Sequence, residues 1–598
     1  MKEQKSAESG SSGWEKIGTV VGNASTGTYQ FILKSFKAKL GDIVASRVEV
    51  PLSAQEQPKM ATVWGRITAI DRFNPFFPAE AAQELADQSI DLIDTVLSGS
   101  RDHLEASVLI LGTTFDGEKA ADLSPLTYPV KPSAAVLYPD AGAVKRLLTG
   151  EDDPAGPKSS PRLRVGTLLG RSDVGVELSA RQIVSRHLAI LAMTGGGKTV
   201  AARRIIRELI DMQYPLVIFD PHGDYLGLFE KRHLFPKSQI KIFYPSLQVR
   251  DNNASIVQEL IEKMGRKLTD AQLQFYIFLI GNTDSSQGEE ATVYIQRLID
   301  HSNNISRKKR DGDGHLADEL SETRTSTMNA VKRSLEFVLG NLRQMEQNNK
   351  RLREHKRFSE YTFDRMPDPT DAPDEIVRPG QVSIFYLAGY DHLNQSAIVS
   401  IVLEALFNHR STLSDNIPPF QAVIEEAHNF IPSRQEGLDE TPSLPTIRKV
   451  ITEGRKFGTG LVLISQRPSR LDETTLAQCN SFLVLRLVNP NDKRFVRSVM
   501  ENLSEADAAI LQTFGPGQGL VSGQAVRFPL LVKVGFDQDL MSTAIGDEDF
   551  ITDAAKWKPN PKREATATIV KKNLPPAAPK STRTKTGRPS RRGVKPAF

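Results

Sequence analysis

The sequence is poor in the residues that staple or anchor a chain. It has one cysteine, Cys479, in 598 residues, which excludes an intramolecular disulfide framework and a multi-cysteine zinc site. It has no run of about 18 consecutive apolar residues, the length a membrane-spanning helix needs. The first 13 residues are polar and lack the apolar segment of a secretory signal. No spacing of His, Asp and Glu suits zinc. These absences point to a cytoplasmic protein that does not enter a membrane. What remains is ordinary: 39% hydrophobic and 25% charged residues, the composition of a soluble globular chain. The length, several times a domain of ~150 residues, implies two or more domains.

The net charge of +4 conceals an asymmetry. From Lys556 to the end there are 13 Lys or Arg against one acid, Glu564, so the other 555 residues carry a net −8. A mildly acidic body meets polyanions only through locally placed basic groups. The tail, 551–598, is rich in proline and poor in apolar residues, and reads as disordered. It suits either attraction to phosphate or an acidic partner, or solubility alone.

Residues 1–13 read as a flexible leader. Over 14–165, short β-rich runs at 18–21, 29–33, 42–45, 61–70, 107–111 and 134–137 lie between turn residues, with a helical stretch near 78–97. This texture predicts a small barrel or sandwich. A proline-bearing linker follows at 151–161. Over 166–550, apolar runs at 188–192, 216–219, 382–387, 420–424, 461–464 and 482–487 alternate with amphipathic helices. That alternation predicts a largely parallel sheet covered on both faces. The interval of about 245–378 is too long for a loop and reads as a helical insertion. Within it Met328, Val331, Leu335, Val338, Leu342 and Met345 recur at helical spacing, as a seam that packs on its own domain or binds a partner. Arg307-Lys308-Lys309-Arg310 is a basic cluster in the same insertion, either a solvated loop or a contact for DNA or a partner.

The strongest motif is Ala192-Met193-Thr194-Gly195-Gly196-Gly197-Lys198-Thr199. It follows an apolar strand and opens an amphipathic helix, the context a phosphate-binding P-loop requires. Glycines let backbone N–H groups approach phosphates without Cβ clashes, and the helix N-terminus adds its positive end. Thr194, Gly195, Gly196, Gly197, Lys198, Thr199 and Val200 are thus the expected ATP-binding residues. Lys198 reaches the β/γ-phosphates and Thr199 ligates Mg²⁺. Ala192 stands where the usual pattern begins with Gly. The run 420–424 ends in Glu425-Glu426, at the strand end where α/β sheets hold ligands. Glu425 is placed to support Mg²⁺, and Glu426 to polarise the attacking water. Leu216-Val217-Ile218-Phe219-Asp220 ends a third strand and runs into Pro221-His222-Gly223-Asp224-Tyr225. Gln466, after the run 461–464, can sense the γ-phosphate or hold that water. A nucleotide shared between subunits needs a cation from the neighbour. Arg455 is the first choice, with Lys456, Arg467 and Arg486 as rivals. His222 and His428 are read as polar structural residues rather than catalytic ones.

The order of these motifs, with Glu453-Gly454-Arg455-Lys456-Phe457-Gly458, Ser465-Gln466-Arg467-Pro468, Gln478-Cys479-Asn480 and Gly517-Gln518-Gly519-Leu520-Val521, resembles the HerA branch of the HerA/FtsK P-loop motors over roughly residues 14–534. Two departures are Glu425, where many members have Asp, and the basic tail. The resemblance implies an α/β fold: a RecA-like P-loop ATPase core with an N-terminal β-barrel, a helical insertion and a disordered basic C-terminal tail. It implies a homohexamer that hydrolyses ATP with Mg²⁺ and threads double-stranded DNA as a translocase or helicase. It also implies a separate effector on the barrel side, a NurA-like nuclease in DNA end processing, or a sirtuin-like NADase or other nuclease in anti-phage defence. The alternative is an ATP-regulated scaffold or sensor that activates such an effector without processive unwinding. A conjugation-type coupling ATPase and a rotary synthase subunit fit less well. The loop 432–445, with Arg434, is the candidate pore element.

Overall fold

A computed structural model describes residues 13–34, 36–50, 59–73, 103–116, 122–151, 160–248, 255–264, 267–284, 286, 289–310, 323–412, 416–433, 441–500, 503–540 and 554–555. The helical stretch near 78–97, most of the leader and of the linker, Arg434 with its loop tip, and nearly all of the basic tail lie outside the described residues. The chain divides into two units, Met1–Ala544 and Ile545–Phe598. Of the second, only a helical fragment at 554–555 is described.

Six antiparallel strands near the N-terminus form a closed barrel: β1 (Glu15–Val21), β2 (Thr28–Leu33), β3 (Ile43–Val50), β4 (Lys59–Phe73), β5 (His103–Phe115) and β6 (Ala135–Tyr138), in the order β1-β2-β5-β4-β3-β6. Closure leaves no free strand edge. Alternation along β2 turns Tyr29, Phe31 and Leu33 inward, where they join Ile17, Val20, Val44, Val63, Ile67, Val108 and Val136 in one core. β4 bends at register shifts beside Gly65 and Ile67. A Cβ on Gly65 would lie 2.3 Å from Val108, so only glycine allows the two strands to close there.

The second layer system is a twelve-stranded sheet among the described residues. Its strands are β7 (Arg162–Leu168), β8 (Gly175–Ser179), β9 (Leu188–Leu191), β10 (Leu216–Asp220), β11 (Gln239–Tyr244), β12 (Phe363–Arg365), β13 (Gln381–Tyr386), β14 (Phe420–Ile424), β15 (Thr459–Ser465), β16 (Ser481–Leu485), β17 (Gln518–Gly523) and β18 (Leu530–Val534). The order is β12-β11-β13-β10-β14-β15-β9-β16-β17-β18-β7-β8. The six apolar runs become β9, β10, β13, β14, β15 and β16, which pair in parallel. β10, β14 and β15 are buried along their whole length, because helices cover both faces. From β16 outward the pairing turns antiparallel. For β7–β8 and β17–β18 the short connections 169–174 and 524–529 permit nothing else, since a parallel crossover needs a dozen or more residues. β7 starts at Arg162 and belongs to this sheet, so a boundary at 165 would cut a strand.

Helix α1 (Lys198–Asp211) follows β9. Between β11 and β13 lie α2 (Ser255–Lys263), α3 (Asp270–Gly281), α4 (Ala291–Arg310) and α5 (Thr325–Glu354), with β12 adding an edge strand. Met328, Val331, Leu335, Val338, Leu342 and Met345 of α5 are buried in the same core as residues of α3 and α4. The seam therefore packs inside its own domain. Further on are α6 (His392–Ser411), α7 (Ser443–Phe457) and α8 (Glu505–Ile510). Barrel and sheet meet at a buried ion pair: Arg66 Nη2 of β4 donates to both Asp507 oxygens of α8 at 2.8 and 2.9 Å. Ser504 Oγ donates to the same carboxylate at 2.6 Å.

Candidate active site

The site is assembled at the C-terminal ends of β9, β14 and β15, three neighbours in the sheet. The loop after β9 turns through Gly195 at φ 76° and Gly197 at φ 96°, left-handed backbone that a side chain would strain. Gly196 N donates to Met193 O at 3.0 Å, which closes the turn. Ala192 is fully buried beneath it, so a methyl is accommodated where the usual pattern has Gly. A Cβ on Gly197 would meet Gly517 N at 2.9 Å, so the loop is backed by the segment leading into β17. α1 begins at Lys198 and aims its free N–H groups into the turn.

Lys198 Nζ is 2.6 Å from Glu425 Oε1 and 2.6 Å from Glu426 Oε1. Burial alone would lower the Lys198 ammonium, but the two carboxylates outweigh it and hold the group above its ordinary value. Glu425 is fully buried. Burial raises its carboxyl, against the pull of Lys198 and of Tyr225. Tyr225 Oη donates to Glu425 Oε2 at 2.6 Å, a contact that the sequence order alone does not announce. Glu426 has φ 51° and ψ 46°, a left-handed conformation costing on the order of 1 kcal/mol for a non-glycine residue. Consecutive carboxylates on an extended strand would point to opposite faces. This turn brings both to one lysine.

Gln466 follows β15 directly, and its Oε1 accepts from Thr194 Oγ1 at 2.6 Å, so the amide is tied to the P-loop. His428 Nδ1 lies 3.3 Å from Glu426 Oε2 and 3.2 Å from Ser465 Oγ. Burial pushes its pKa down to about 4, only partly opposed by Glu426, so the imidazole is neutral near pH 7. Asp220 is fully buried at the end of β10. Its carboxylate accepts the N–H groups of Gly223 at 2.7 Å, Asp224 at 3.0 Å and Tyr225 at 2.9 Å, and so fixes the turn that presents Tyr225. Arg203 of α1 donates to Asp224 O and ties that turn to the P-loop helix. His222 is exposed.

A family model described as "Helicase HerA, central domain" matches residues 163–406. A DNA double-strand break repair helicase HerA of Pyrococcus furiosus is 26% identical over 73% of this chain and 78% of its own. One of Saccharolobus solfataricus is 27% identical over 71% and 77%. Over residues 163–406 the chain is similar to the central domain of HerA-type ATPases. Among solved structures, VirB4 of Thermoanaerobacter pseudethanolicus covers 65% of this chain and 99% of its own at 15% identity, with a TM-score of 0.41.

The cations considered as fingers fall at two ends of the sheet. Arg455 and Lys456 are exposed in the last turn of α7, just before β15 begins. The seven residues of β15 span roughly 20 Å, so these two are remote from the P-loop of their own chain. Arg467 and Arg486 sit at the nucleotide end. Mg²⁺ fits the donor set. Thr199 stands in the first turn of α1, and Glu425 Oε1, ion-paired to Lys198, and Glu426 Oε2, beside His428, are buried carboxylate oxygens that a cation or its water could take over. Among the described residues, no helix is long and apolar enough to cross a membrane.

Proposed function

We propose that the chain is an ATP-hydrolysing, homohexameric DNA translocase or helicase that acts on double-stranded DNA with a separate nuclease or effector subunit. The observation that carries this reading is the convergence of Lys198, Glu425, Glu426 and Gln466 on one glycine turn. ATP would bind with its phosphates in the turn, met by the N–H groups of Gly195, Gly196, Gly197, Lys198, Thr199 and Val200. Lys198 would leave the acids for the β/γ-phosphates. Thr199 and Glu425 would hold Mg²⁺, which neutralises phosphate charge. Glu426 then faces the attacking water as base, with Gln466 positioning it. The relatives' naming as double-strand break repair helicases supports DNA as the track. The exposed Arg455, far from its own nucleotide, supports a ring in which each site takes an arginine from the next subunit.

The test is phosphate release by the full chain with and without duplex DNA. DNA should stimulate it, Lys198→Ala should abolish it, and Glu426→Gln should bind ATP without turnover. Mixing Lys198→Ala with Arg455→Ala chains should restore some activity, because a mixed interface recovers one complete site. Failure of duplex DNA to stimulate hydrolysis, with ATP turnover intact, would leave the scaffold reading in place of the motor.

A further inference from the structure

We propose that Arg486 binds the α/β part of the nucleotide's phosphate chain in its own subunit, on the flank of the P-loop away from the hydrolytic acids. The inference rests on ATP occupying the P-loop as described above.

Arg486 follows β16 directly, and β16 runs parallel to β9 on the side opposite β15. Its carbonyl accepts from Met193 N at 2.9 Å. The next residue, Leu487, donates its N–H to Leu511 O at 3.0 Å. The backbone carrying Arg486 is thus held to the P-loop on one side and to the segment after α8 on the other. The side chain is another matter. Its Nε is buried without a hydrogen-bond partner, and no carboxylate or carbonyl among the described residues meets the guanidinium. The half-buried or buried arginines of α1 are satisfied: Arg203 by Asp224 O, and Arg204 by Glu208 and Asp537. A partly buried guanidinium with no acceptor is costly. Next to a turn of glycines and the open end of a helix, the acceptor that completes it is an anion.

The sheet order decides which part of the nucleotide that is. Glu425 and Glu426 come from β14, and Gln466 from β15. Both strands lie on one side of β9, and Lys198 is drawn toward them. The γ-phosphate must face these groups for water to attack it. Arg486 stands on the opposite side of β9, so it meets the phosphates that remain after hydrolysis. A neighbour's arginine finger acts on transition-state charge and leaves ADP affinity untouched. An arginine on the α/β side holds ADP and ATP alike.

The experiment measures binding of ADP and of a non-hydrolysable ATP analogue to the full chain. Arg486→Ala should weaken both by about tenfold or more, the loss expected for a charge-assisted hydrogen bond. Arg486→Lys should weaken both by less, because it keeps the charge and loses the fork. If Arg486→Ala melts at a lower temperature than wild type, Arg486→Lys carries the test. ADP affinity within about twofold of wild type in a folded variant overturns the proposal, as does a loss confined to the ATP analogue or to turnover. Lys198→Ala is the control. If it also binds both nucleotides as wild type does, the P-loop reading itself fails. If it loses them while the Arg486 variants do not, only the role of Arg486 fails.

Discussion

Lys198 Nζ stands 2.6 Å from a carboxylate oxygen of Glu425 and 2.6 Å from one of Glu426, so a single ammonium bridges two adjacent acids. On the proposed reading, ATP and Mg²⁺ would take Lys198 from the acids to the phosphates. Removing Lys198 leaves two acids facing one another. Lys198→Ala should therefore lower the stability of the nucleotide-free protein by about 3 kcal/mol, besides abolishing hydrolysis. Adding Glu425→Gln should recover most of that stability and none of the activity. Denaturant unfolding of the single and double variants checks this; equal stabilities would dissolve the pairing.

Tyr225 Oη reaches Glu425 from the turn fixed by Asp220, and burial drives the phenol well above its usual range, so it only donates. Tyr225→Phe should cost roughly 1 kcal/mol of stability. It should also let the Glu425 carboxylate rotate, so that more Mg²⁺ is needed for half-maximal hydrolysis while the rate at saturation changes little. A manganese titration followed by electron paramagnetic resonance reads the metal directly. Unchanged metal affinity would make Tyr225 a packing residue.

Most of this core was legible because fully buried parallel strands read as continuous apolar runs. Leu188, Leu216, Val382, Phe420, Leu461 and Phe482 each open or lie in such a run and each marks a strand. The P-loop was legible for a related reason, since φ-positive turns demand glycine. Three features were not. The antiparallel edge needs β18 to pair with β7, strands hundreds of residues apart in sequence. The left-handed backbone of Glu426 carries no glycine to betray it. Arg66 and Asp507 are 441 residues apart, and neither lies in a motif, so no local pattern could pair them.

That pair is the polar lock between barrel and sheet, with side chains 0% and 1% exposed. Arg66 has two further nitrogens buried without partners, so the lock stabilises less than its geometry suggests. Removing one member is a different matter from removing both. Arg66→Ala should cost about 3–5 kcal/mol by stranding Asp507, whereas Arg66→Met with Asp507→Leu should come within about 1–2 kcal/mol of wild type. Thermal unfolding checks the order. A double variant as weak as the single one would assign the loss to packing rather than charge.

Acid sensitivity should come from buried imidazoles. His187 Nδ1 accepts the N–H of Leu461 at 3.0 Å, which needs a neutral ring, and burial pushes its pKa down from 6.5 to about 4. A group whose folded pKa is depressed contributes stability that is full above its unfolded value. That contribution is lost as the pH falls through the interval between the two. For His187 the interval runs from about 6.5 down to about 4, and His428 titrates over the same range. Each can contribute up to roughly 3 kcal/mol. His187→Asn offers an oxygen to Leu461 N and does not titrate, so its stability should fall less steeply than that of wild type between pH 7 and pH 4.5. Urea unfolding at those two pH values gives the comparison, and parallel slopes would mean that other groups govern the acid limb.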